Sequence, residues 1–219
     1  MRINQQAESE CPGSAGEHAL QEWLGTSSRA GAFYANQVLD HLNPLMREFI
    51  ARQELFFLAT ADAQGICDCS LRSGPSGFVR VVDETTLCYP EYRGNGVMAS
   101  LGNIVENQHA GMLFADFLVS TMGLHVNGQA RIVPSDHPAI AAPLTLEAPG
   151  DAGRREPRPE HWVMVSVEEA YVHCSKHIPL LQKLDKAIHW GSDAAAHKGG
   201  DYFRAKHSAH RRPAQEAAG

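Results

Sequence analysis

The 219-residue sequence has no apolar run long enough to cross a bilayer, for which about 20 consecutive apolar residues are needed. Its opening stretch, Met1 to Gly16, is polar and lacks the apolar core of a secretory signal. Basic residues are not in excess: a net charge of −6 and a pI of about 6.0 argue against general nucleic-acid binding, which rests on a basic balance. The five cysteines (Cys11, Cys67, Cys69, Cys88 and Cys174) are odd in number and read as reduced thiols, not as a disulfide framework. No internal repeat is found, and no nucleophile–base–acid triad stands out. These absences predict a cytoplasmic protein with no membrane span and no nucleic-acid partner.

What is present suits a globular domain. The apolar share of 43% is enough for a real core. Residues 1–30, polar and rich in small side chains, read as a loosely ordered arm; residues 31–190 form the folded domain, and residues 191–219 a polar tail. From Phe33 to Arg52 the apolar positions Val38, Leu39, Leu42, Leu45, Met46, Phe49 and Ile50 recur at helical spacing, with Pro44 starting a helix or dividing the stretch. Leu55–Ala61 reads as a buried strand, ended by a tight turn over Asp62–Gly65. Further strands are predicted over 66–72, 78–82, 86–90, 111–117, 124–133, 162–167 and 170–174. Helices are predicted over 97–106, partly over 135–146, and over 178–186. Connections this short leave no room for crossover helices, so the sheet is expected to be antiparallel, and barrel closure is the natural way to remove its edges.

The stretch from Tyr89 to Asn103 carries the most chemistry. A strand end, a loop with Gly94 and Gly96, and a helix start together form a natural phosphate cradle. Arg93 offers a bidentate charge, and Asn95, Ser100 and Asn103 offer hydrogen-bond donors. Asn95 and Ser100 are equally able to serve as simple caps. A second group is His173-Cys-Ser-Lys-His177, with Cys67 and Cys69 as further soft ligands for a metal. Strand character over Tyr171–His173 would put alternate residues on opposite faces, so no metal is expected. His125 and Asn127, two apart on a strand, share one face.

Taken in order, these segments resemble the pyridoxamine 5′-phosphate oxidase-like superfamily of FMN-binding split β-barrels. The resemblance is carried by Leu58-Ala-Thr-Ala-Asp62 with Gly65, Thr86-Leu with Tyr89-Pro and Tyr92-Arg-Gly-Asn95, Ser100-Leu-Gly-Asn-Ile104 with Asn107, Leu113-Phe with Asp116-Phe117, Leu124-His-Val-Asn-Gly128 with Ala130-Arg-Ile132, and Glu169-Ala-Tyr-Val-His-Cys-Ser-Lys-His177. It spans roughly residues 38–180 and leaves the first thirty unmatched.

The resemblance implies a mainly β (α+β) fold: a six-stranded antiparallel split β-barrel with flanking helices. It also implies a homodimer with two flavin mononucleotide (FMN) sites at the subunit interface. It nominates Arg72, Ser73, Tyr89, Arg93, Asn95, Ser100 and Asn103 as cofactor contacts. Asn127, His173 and Lys176 are further pocket residues, the last two from the same subunit or its partner. A cation near the flavin N1–C2 carbonyl would stabilise the anionic reduced form. The sequence departs from the vitamin B6 oxidase itself. Ser70-Leu-Arg-Ser73 and Ala99-Ser-Leu101 stand where that enzyme has an Arg/Lys strand and a Ser-Arg-Lys triplet, and its C-terminal arginine motif has no counterpart. The implied activity is an FMN-dependent oxidoreductase acting on an unidentified small molecule, in a branch distinct from the B6 oxidase. The alternatives are a non-catalytic flavin-binding protein, or a split barrel holding deazaflavin or haem.

Overall fold

In the computed structural model the described residues are 12–140, 159–192 and 194–207. Strand alternation organises them. Along Leu55–Ala61, Phe56, Leu58 and Thr60 turn inward while Phe57, Ala59 and Ala61 turn outward, the two-residue period of a pleated strand. In chain order the elements are α1 (Ala15–Trp23), α2 (Ser27–Gln37), β1 (Val38–Leu39), α3 (Pro44–Arg52), β2 (Leu55–Ala61), β3 (Cys67–Ser73), β4 (Arg80–Asp83), β5 (Thr86–Glu91), α4 (Ala99–Glu106), β6 (His109–Ala115), β7 (Gly123–Val133) and β8 (His161–His173). All strand pairs are antiparallel, in the order β3-β2-β6-β7-β8-β5-β4, with β1 added on β8. The fold is therefore α+β and mostly antiparallel sheet with four helices.

The sheet has eight strands where six were expected. The two-residue β1 is too short to announce itself by alternation, whereas the strand expected over 78–82 forms as β4 and pairs with β5 as a hairpin. Trp162–Val167 and Ala170–Cys174, read as separate pieces, are joined in the single thirteen-residue β8, which ends at His173. It carries a bulge against β7, where Asn127 pairs with Glu169 but Gly128 pairs with Val167. A Cβ at residue 128 would run into the Ser166 carbonyl, so only glycine fits there.

Two helix expectations are corrected. The described part of the arm is not loose. Ser14 caps α1 through a capping box with Glu17, and Gln21 on α1 donates to the Tyr34 hydroxyl on α2 at 2.7 Å. Residues 178–186 form no helix; they run irregularly along the surface, with Leu181 N–H donating to the Phe117 carbonyl at 2.7 Å. Pro44 takes the first turn of α3, where its missing N–H costs nothing. Of residues 135–146, Pro138–Ile140 form one 3₁₀ turn, and the remainder from 141 lies outside the described residues, as does most of the loop over 149–159. Cys11 and the tail beyond 207 also lie outside them. Among the described residues, no helix is long and apolar enough to cross a membrane.

The sheet curls around an aromatic core. Phe56 of β2 meets Tyr89 of β5 edge-on at 5.0 Å, Phe114 of β6 at 5.2 Å and Phe78 at 5.9 Å between ring centroids. All four rings are fully buried. α4 buries Leu101 and Ile104 in the same core, and Asn103 ties it to β2 by donating to Thr60 Oγ1 at 3.0 Å. This packing brings β3, the loop after β5 and the start of α4 to one place.

Candidate functional site

On β3 the period of two sets Asp68, Ser70 and Arg72 on one side and the exposed Cys67, Cys69 and Leu71 on the other. The first set forms one wall of an open cleft of about 500 Å³. The loop from Glu91 to Met98 and the first residues of α4 form the other wall, and Trp190 closes one side. Asn95 Oδ1 accepts from Val97 N–H at 2.9 Å, and Gly96 adopts φ +82°; together they turn the loop back towards α4. Met98 then enters the helix in a left-handed conformation, with no side-chain cap.

Hydrogen bonding in the cleft is dense. Ser70 Oγ donates to Asp68 Oδ2 at 2.8 Å, and Ser100 Oγ donates to the same oxygen at 2.9 Å. The bonds from Ser70 and Ser100, helped by the nearby Arg72 charge, hold the Asp68 carboxyl below its ordinary range against the opposing effect of desolvation. Arg72 donates through Nε to Glu91 Oε1 at 2.6 Å, with both side chains largely buried. Burial pushes the Glu91 carboxyl up, and Arg72 opposes that push. Tyr92 also lines the cleft, and burial drives its phenol up to about 12.

The nominated residues separate into groups. Arg72, Ser73, Arg93, Asn95 and Ser100 line the cleft. Tyr89 does not: it is fully buried in the core, because it shares the inward face of β5 with Leu87. Its hydroxyl has no hydrogen-bond partner among the described residues, and burial pushes its ionisation far upward. Asn103 acts as the tether to β2 described above, and Ser100, only 3% exposed, points its proton at Asp68. Ser73 accepts from Trp190 Nε1 at 3.3 Å.

Asn127 and His173 sit on the outer face of β7 and β8. His125 Nε2 and His173 Nδ1 are 2.9 Å apart, and Tyr171 stacks on His125 at 4.7 Å. Burial, and secondarily His173, holds the His125 imidazole below its ordinary value. Asn127 donates to Glu169 at 3.3 Å and lines a separate cavity of about 760 Å³ between this face and the helices α1 and α2. Lys176 is exposed on the 3₁₀ turn after β8. Among the described residues, no three His, Cys, Asp or Glu side chains group to hold a metal.

Sequence reasoning did not nominate Asp68, Ser70, Glu91 or Trp190 as site residues. The alternation of Asp68, Ser70 and Arg72 was a usable signal. Trp190 gave none, since it reaches Ser73 across 117 positions of chain.

The family model for pyridoxamine 5′-phosphate oxidase matches residues 42–174 of this chain. No curated protein sequence matches it. Among solved structures, HupZ of Group A Streptococcus is similar at 23% identity over 59% of this chain and 92% of that one, with a TM-score of 0.40. The heme storage protein HutZ of Vibrio cholerae is similar at 15% identity over 60% of this chain and 94% of that one (TM-score 0.39). General Stress Protein 26 of Bacillus anthracis is similar at 15% identity over 57% and 88% (TM-score 0.39).

Proposed function

Because this chain belongs to the pyridoxamine 5′-phosphate oxidase family, we propose that its cleft between β3, the 91–98 loop and α4 binds flavin mononucleotide and that the protein is an FMN-dependent oxidoreductase of a small molecule. The observation that carries the reading is the cleft itself. It combines two arginines, a glycine loop and an aromatic wall at the segment where the family's cofactor contacts were expected.

The residues present fit the group in a specific way. Side chains projected from Gly94 and Gly96 would meet nothing within 4 Å, so the loop leaves room for a ligand at its rim, beside Arg93. Arg93 suits a phosphate by charge and fork geometry. Trp190 and Tyr92 offer flat apolar surface for a ring system. When bound, the flavin supplies the electron-transfer chemistry, and the chain orients it and sets the local electrostatics.

A homodimer belongs to the same proposal. Pairing register places Leu71, Phe57, Leu113, His125 and Tyr171 in one row across the outer face of five strands. Leu71 is 54% exposed and Phe57 37%, an apolar surface that a second copy would cover. On that arrangement, His173 and Lys176 approach a flavin from the partner side, and the active protein stays in the cytoplasm as a soluble dimer.

The absorbance spectrum of the purified protein tests the reading, together with mass identification of what denaturation releases. Flavin bands and released FMN are expected. A Soret band, or a deazaflavin in the released fraction, would overturn the FMN assignment.

A further inference from the structure

Resting on the flavin reading, we infer that the floor of the cleft recognises the hydroxyl chain of the cofactor through Asp68, leaving the phosphate to the rim at Arg93. The cleft carries two arginines, Arg72 and Arg93, against two carboxylates, Asp68 and Glu91. The chain's own anions therefore already hold the positions where an incoming phosphate would first be sought. Arg72 commits its Nε to Glu91 at 2.6 Å. Ser100, at the start of α4 and 3% exposed, holds its hydroxyl 2.9 Å from both Asp68 Oδ2 and Ser70 Oγ.

Chemistry then decides what the floor can take. An ionised carboxylate only accepts hydrogen bonds, and so does a phosphate, so the two repel and cannot bond. A hydroxyl both donates and accepts. Ser70 Oγ and Ser100 Oγ both lie within hydrogen-bond distance of Asp68 Oδ2 and 2.9 Å from each other, and among the described residues no hydrogen bond reaches Oδ1. That oxygen lies on a cleft-lining residue held in place by two serines. A ribityl hydroxyl can donate to Oδ1, and the Arg72 guanidinium, paired with Glu91 through Nε, lines the same cleft as a donor for the other hydroxyls of the chain. The serine pair and the ion pair thus form a rigid floor that matches a polyol chain and does not match a phosphate.

Three ligands separate the parts of the cofactor: FMN, riboflavin, which lacks the phosphate, and lumiflavin, which lacks the hydroxyl chain as well. Binding to the full-length, cofactor-stripped protein is followed by quenching of flavin fluorescence. Asp68→Asn is expected to weaken riboflavin and FMN alike, by about tenfold or more, the scale of one charge-assisted hydrogen bond, and to leave lumiflavin unchanged. Ser70→Ala, which keeps the carboxylate but frees it to move, is expected to give a smaller loss with the same pattern. Equal loss of all three ligands in both variants would mean that Asp68 merely holds the fold together, and would overturn the inference. So would unchanged riboflavin binding, or a selective gain for FMN, since the carboxylate would then only oppose the phosphate. If the wild-type protein binds none of the three, the flavin reading itself fails; the other adverse results leave it standing.

Discussion

Arg72 and Glu91 bond at 2.6 Å, joining edge strand β3 to β5, two strands that do not pair through their backbones. Their side chains are 17% and 13% exposed, so the pair works in a partly desolvated setting where losing one partner strands the other charge. Glu91→Gln is expected to destabilise the protein by about 2–4 kcal/mol, because the Arg72 charge stays behind without its counter-ion. The double variant Arg72→Met/Glu91→Gln should cost less than the sum of Arg72→Met and Glu91→Gln taken singly. Chemical denaturation of the four proteins measures the coupling, and strict additivity would show that the two side chains do not act as a pair.

The rim assignment predicts a ligand-selective defect. Arg93→Ala should weaken FMN by about 1.5–3 kcal/mol, the range for a hydrogen bond to a charged group, and leave riboflavin where it was. Fluorescence titration with both ligands reads the difference. Equal weakening of the two would remove the phosphate from Arg93.

Assembly offers a third prediction. Leu71→Glu puts a charge into the exposed apolar row that also holds Phe57 and Leu113. A dimer formed on that face should dissociate to monomers at micromolar concentration, since a buried unpaired carboxylate costs several kcal/mol. Sedimentation or light scattering distinguishes the outcomes. A dimer that persists in this variant would move the interface to another face.

Acid stability depends in part on Asp116. Burial pushes its carboxyl up, but bonds from the Ser120 hydroxyl and from the N–H groups of Ser120, Leu118 and Val119 outweigh that and bring it down to about 2. A carboxylate depressed on folding stabilises the protein above its ordinary value of 3.8, and that contribution disappears as pH falls towards about 2. The wild-type melting temperature should therefore drop through this window, and Asp116→Asn should show a lower Tm at neutral pH with a shallower acid decline. Parallel curves for the two proteins would exclude Asp116 as a source of the acid sensitivity.

Much of this protein was legible in its residues taken one segment at a time. The short apolar run of Leu55–Ala61 with its turn, the strand over Leu124–Val133 and the helical spacing in Val97–Glu106 are local properties, and strands and a helix formed there. The segment order and its motifs pointed to the family, which the match over residues 42–174 then showed. Arg93 and the glycine loop were nominated from the charge and the backbone freedom of their residues, and all of them line the cleft.

The rest needed the folded chain. No local rule separates an inward Tyr89 from one lining a cleft; its fate was set by the curl that carries β5 against Phe56. The first helices escaped notice because α1 and α2 bury no residue fully, so their apolar signal is weak. Above all, the partners of Arg72, Ser73 and Ser100 lie 19, 117 and 32 positions away, as Glu91, Trp190 and Asp68. The sequence determined which side chains could meet a ligand. Tertiary structure decided which of them are already occupied with one another, because hydrogen bonds and charge pairs depend on distance in space and not on separation along the chain.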